Sequence, residues 1–151
     1  MIKPEWFLPV ACVIVYRMNG SNMEFLLGRR KEKEVEGGKW GLIGGTGAFW
    51  EGAENPVDFA HREAVYDLKI SIDPGRLQQF AEKIKCSQAN LIAEVYFSCE
   101  LEAGQGVEVT GNDKAPDICQ WFSIEQIRMM QERGEVAFDN YGVLEEFRGQ
   151  N

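Results

Sequence analysis

Glu63 and Asp67 are the side chains of this sequence best placed to do chemistry. They stand four residues apart in a segment where Val57, Ala60, Ala64 and Leu68 recur at three- and four-residue steps. That spacing predicts a helix with an apolar stripe, with Arg62, Glu63, Tyr66 and Asp67 off the stripe. Residues four apart lie one above the other on a helix face, so the two carboxylates form an oxygen pair suited to a hard divalent cation. Upstream, Gly41, Gly44, Gly45 and Gly47 make a run through which the backbone can turn tightly and approach a ligand. Arg29-Arg30-Lys31 adds a confined basic group of the kind that meets phosphate. Each feature also has an ordinary explanation. Two carboxylates at this spacing commonly form a solvated face, glycines permit turns, arginines solubilise a strand end, and Tyr66 reads as a half-buried packing aromatic.

The elements that must hold these residues are visible in the pattern of apolar residues. Leu8 to Arg17 reads as a buried strand, Asn19-Gly20-Ser21-Asn22 as a turn and Glu24 to Arg29 as the returning strand of a hairpin. Lys31 to Gly38 reads as a loop and Trp40 to Ile43 as one short strand. The helix begins at Asn55, a good N-cap, followed by Pro56 at the first helical position and Asp58 in the first turn. Gln79 to Cys86 and Asn90 to Leu101 form a second hairpin, and Ile118 to Phe122 a further strand. Ser123 caps a helix running to about Glu132, and a last helix starts near Asp139 or Asn140. Hairpins require antiparallel neighbours and helices must cover sheet faces, which points to an α/β class with a mixed β-sheet.

Composition narrows the function. The 151 residues, 44% hydrophobic and 26% charged, fit one domain, 1–151, with a soluble core. No apolar run is long enough for a bilayer, which argues against a membrane partner. The start lacks a secretory pattern, and Cys12, Cys86, Cys99 and Cys119 have no metal-ligand spacing, so they read as reduced packing residues of a cytoplasmic protein. With 24 acidic against 16 basic residues the net charge is −8, unfavourable for binding a nucleic-acid polymer. A phosphate ligand would need a local remedy: a cation on carboxylates, or a basic patch.

The stretch Glu54 to Ile70 resembles the Nudix box, the motif of the Nudix hydrolase family. Glu54, Arg62, Glu63, Ala64 and Ile70 hold the motif's places. Tyr66 and Asp67 stand where the family has two glutamates, Lys69 where it has a glycine, and Ala48 where the box begins with a glycine. Phe25 to Arg30, Lys39 to Leu42, Gln120 to Ser123 and Ala137 to Asn140 are similar to stretches that surround the box in that family. The resemblance implies an α/β/α sandwich and hydrolysis of a nucleoside diphosphate linked to another moiety, of the nucleotide-sugar or ADP-ribose type, with Mg2+ or Mn2+ as cofactor. It implies Glu63 and Asp67 as catalytic residues, and Glu63, Asp67 and Glu54 as metal ligands. Arg29, Arg30, Gly44, Gly45 and Arg62 are the expected substrate contacts, and a homodimer is compatible with the family. Tyr66 is a poor magnesium ligand at neutral pH, leaving one ligand to come from Glu51, Glu54, Glu108, Asp113 or Asp117. A second reading follows from the same substitutions: a Nudix-like domain that binds a nucleotide or a partner without turning it over. Lys69 predicts a helix exit unlike the family's left-handed one, because a Cβ there costs about 1–2 kcal/mol.

Overall fold

A computed structural model describes residues 6–46, 55–87, 89–102 and 104–151. Phe7–Asn19, rich in Val and Ile, forms the long strand β1 at the centre of a seven-stranded sheet. It turns at Gly20 into β2, Asn22–Arg29, pairing Tyr16 with Phe25 and Asn19 with Asn22. The expected single strand from Trp40 to Ile43 is instead two. β3, Trp40–Gly41, pairs with β2, whereas β4, Ile43–Thr46, pairs with the other end of the central strand, Val10 opposite Thr46 and Val13 opposite Ile43. The break falls at Leu42, whose N–H leaves the ladder and donates to Asn140 Oδ1 at 3.0 Å.

Helix α1, Pro56–Asp67, follows, then a single 3₁₀ turn at Pro74–Arg76 and the hairpin of β5, Gln78–Ser87, and β6, Asn90–Glu100. β6 runs parallel to β1, from Phe7 opposite Leu91 to Tyr16 opposite Glu100, which makes the sheet mixed. β7, Cys119–Ser123, pairs antiparallel with β2. α2, Ile124–Glu132, carries the capping box of Ser123 and Gln126, and α3, Asn140–Gly149, closes the fold.

Strand residues alternate between two cores, and this alternation makes the sandwich. Ala11, Val13, Val15, Val95, Phe97 and Cys99 face α1, meeting Phe59, Ala60, Ala64 and Leu68. Ile14, Phe25, Leu27 and Tyr96 face the other way, under Ile127, Met130, Val143, Leu144 and Phe147 of α2 and α3. The architecture is the expected α/β/α sandwich with a mixed sheet. All four cysteines are free, and Cys86 is exposed rather than packed, because it lies on edge strand β5. Among the described residues no helix is long and apolar enough to cross a membrane.

Candidate functional site

Helix α1 starts where the sequence placed it: Asn55 accepts the N–H of Asp58 at 2.9 Å, and Pro56 opens the helix. It ends at Asp67, and Leu68 is extended with φ −123° and ψ 140°. The left-handed exit of the family motif is therefore absent, which suits Lys69, whose backbone turns into an antiparallel bridge between Leu68 and Val109. Lys69 N–H donates to Glu108 O at 2.8 Å and Thr110 N–H to Asp67 O at 3.0 Å.

Glycines of β4 bring the strand under the helix. A Cβ at Gly44, where φ is +152°, would stand 2.2 Å from the carbonyl oxygen of Ala11. A Cβ at Gly45 would stand 3.3 Å from Glu63 Oε2. Only glycine at position 44 lets β4 lie this close to β1, and the missing side chain of Gly45 leaves room for the Glu63 carboxylate to lie across the strand. Glu63, Asp67, Gly44 and Gly45 are thus brought together at one edge of the sheet.

Asp67 departs from the sequence reading in its burial. It was expected off the core stripe, yet it is 5% exposed, because the 108–112 segment crosses the last helical turn. Its carboxyl is pushed up to about 7, chiefly by burial, then by the negative charges of Glu63 and Glu34, with the amide of Gly44 pulling the other way. A position at the carboxyl end of a helix adds to the disfavour of negative charge. Glu34, in the loop after β2, is a neighbour that no sequence signal indicated; the loop's charge pattern reads only as solvated.

The other expected site residues lie apart or elsewhere. Arg62 is exposed, its guanidinium 5.1 Å over the ring of Phe59. Arg29 lies 3.9 Å from Asp117. Arg30 donates to the carbonyl of Val35 at 2.7 Å, lies 3.4 Å from Glu34 and covers the ring of Phe138 at 5.0 Å. Glu54, with Glu51, Phe49 and Trp50, lies outside the described residues. Of the late acids, Glu108 is 3.7 Å from Lys69, and Asp113 accepts the hydroxyl proton of Tyr66. Tyr66 is therefore not simply a packing aromatic: its hydroxyl is committed to a polar partner.

Among the described residues, no group of three Asp, Glu, His or Cys side chains converges well enough to hold a metal ion by itself. Magnesium, however, is commonly held by one or two carboxylates together with substrate phosphates and water. The Glu63 and Asp67 pair fits that arrangement, since two adjacent carboxylates, one of them driven toward its protonated form by burial and then by the other's charge, both gain from a shared cation.

A second polar cluster, not foreseen from sequence, lies on the opposite face of the sheet. Lys85 Nζ is 2.9 Å from Glu94 and 2.5 Å from Asp139, and Tyr96 donates its hydroxyl to Glu94 at 2.9 Å. The thiol of Cys12 beside them is pushed up to about 12 by burial and by the charge of Glu94.

The paired hairpins, the sandwich and the glycine-strand-to-helix edge define a Nudix fold, and the solved structures it resembles agree. The NUDIX domain of Shewanella oneidensis NrtR, complexed with ADP ribose, superposes with a TM-score of 0.74 at 16% identity, covering 95% of this chain and 87% of that one. The MutT protein of Methanosarcina mazei Go1 gives 0.72 at 20% identity, covering 96% and 95%. A C. elegans Ap4A hydrolase complex gives 0.67 at 14% identity, covering 95% and 99%. No family model matches the chain, and no curated protein matches it.

Proposed function

We propose that this protein hydrolyses a nucleoside diphosphate linked to another moiety, of the ADP-ribose or nucleotide-sugar type, with Mg2+ or Mn2+. The observation that carries this reading is the meeting of Glu63 and Asp67 with Gly44 and Gly45 at one sheet edge. The likeness in fold to a domain complexed with ADP ribose and to an Ap4A hydrolase supports the substrate class.

Glu63 and Asp67 would hold the cation, with Glu54 as a further ligand. When bound, the cation supplies charge neutralisation for the diphosphate and lowers the pKa of a water. Glu63, the less buried carboxylate, would accept a proton from the attacking water, while Asp67, once ionised, would help hold the cation. Gly44 and Gly45, by lacking side chains, let β4 lie against β1 and beneath the Glu63 carboxylate, and Arg62, exposed on the same helix, would be a cationic contact for the diphosphate. Arg29 and Arg30 would reach a phosphate only by giving up the partners described above.

The test is a screen of phosphate release from nucleoside diphosphate derivatives, with coupled phosphatase and with each metal. Turnover that disappears in Glu63→Gln supports the reading; none above that background removes it. Melting measured with and without Mg2+ gives an independent check. A native-state ligand raises stability by mass action, and the rise should vanish in the Glu63→Gln, Asp67→Asn double variant.

The alternative is a domain that binds such a nucleotide without cleaving it. The engagement of Tyr66 with Asp113 favours it, because the position that carries a glutamate in the family is occupied by a hydrogen-bonding phenol.

A further inference from the structure

Tyr66 sits at the junction of α1 and the segment that crosses its end. Its hydroxyl donates to Asp113, and its carbonyl accepts from the hydroxyl of Thr110 at 2.6 Å and from the side-chain Nδ2 of Asn112 at 2.8 Å. The last carbonyls of a helix lack intrahelical partners. Here Thr110 and Asn112 supply those of Tyr66 and Asp67. The crossing segment is also tied to the loop after β2, because Lys31 Nζ donates to the carbonyl of Asn112 at 3.4 Å. A glutamate at position 66, ionised, could not donate to Asp113 and would repel it. A phenol is long enough to reach Asp113 and donates its proton to that carboxylate.

We propose that Tyr66 is a positioning residue: its hydroxyl latches the 110–113 segment across the last turn of α1, fixing the rim of the site beside Asp67 for the substrate. The substitution that removes a carboxylate from the box thereby converts the position from metal chemistry to loop placement. The backbone bonds at Lys69 and Thr110 hold the segment's other end, so loss of the hydroxyl leaves the fold intact and loosens only the part beyond Thr110. The consequence for catalysis rests on the hydrolase reading; the latch does not.

The test uses the full chain and three variants: Tyr66→Phe, Asp113→Ala and Asp113→Asn, the last keeping an oxygen acceptor. Hydrogen exchange at the backbone amides of Asn112 and Asp113 should accelerate about threefold to tenfold in Tyr66→Phe and Asp113→Ala, the range expected for one hydrogen bond, with unchanged exchange at Thr110 and in the α1 interior. Asp113→Asn should stay within about twofold of the parent, because the acceptor survives. With ADP-ribose and Mg2+, KM should rise by a similar factor in the two latch-breaking variants while kcat holds, and Asp113→Asn should retain the parent KM. Unchanged exchange in Tyr66→Phe overturns the latch, as does an Asp113→Asn variant that behaves like Asp113→Ala, since charge and not the bond would then matter. Altered exchange with unchanged KM overturns the rim-fixing role. Should the parent bind and cleave no diphosphate, the hydrolase reading fails, and exchange still decides the latch.

Discussion

Replacing Asp67 by Asn should stabilise the metal-free protein at pH 8, and less than half as much at pH 5. The ordinary Asp value is 3.8, and the folded chain pushes Asp67 up to about 7. Below about pH 4 the carboxyl is neutral in both the folded and unfolded states, and no penalty exists. As pH rises toward 7, the unfolded chain ionises freely while the folded one resists, so the native state loses stability progressively; above 7 the loss is complete and constant. At about 1.4 kcal/mol for each factor of ten, the gap sets a ceiling of roughly 4 kcal/mol. Asn keeps an oxygen for the amide of Gly44 and removes the repulsion from Glu63 and Glu34. We expect a gain of about 2–3 kcal/mol at pH 8, or roughly 4–12 °C in Tm for a chain of this size. Urea unfolding of both proteins at the two pH values, with a chelator present, measures it. Equal effects at pH 5 and pH 8, or a loss at pH 8, would refute the claim that a desolvated, repelled carboxylate sits at the end of α1. Adding Mg2+ should narrow the difference at pH 8 by stabilising the parent alone.

Gly44→Ala forces a Cβ to within 2.2 Å of the carbonyl of Ala11, at a φ that side chains avoid, and should cost about 3 kcal/mol or more, read from urea unfolding. Lys85→Met leaves the Glu94 carboxylate beside Tyr96 without its cation. It should destabilise by about 1–3 kcal/mol, discounted for the partial exposure of Lys85, and adding Glu94→Gln should recover most of the loss. Asn140→Ala removes the acceptor of the Leu42 N–H where β3 gives way to β4, with an expected loss of about 1–3 kcal/mol in the same measurement. Tyr66→Glu should not repair the box: we expect faster exchange at Asn112 and Asp113 and no rise in phosphate release, and an increase in rate would show that the position still serves the metal.

Much of the frame was legible because it rests on local rules. Asn55-Pro56 and Ser123 with Gln126 announce helix starts through hydrogen bonds to residues three positions on, and the apolar runs of β1 and β6 declare strands buried on both faces. Helical periodicity also placed Glu63 and Asp67 on one face. Periodicity did not show that Asp67 is buried, nor that Tyr66 meets Asp113, because both facts depend on a segment more than forty residues downstream folding back over the end of α1. Glu34 reaches the neighbourhood of Asp67, and Asp139 meets Lys85, for the same reason: each contact joins elements distant in sequence. Leu42 makes the point in one residue. Its apolar neighbours specify a strand, but whether that strand continues or breaks is decided by an amide oxygen on α3, placed there by the packing of two layers rather than by anything in the run itself.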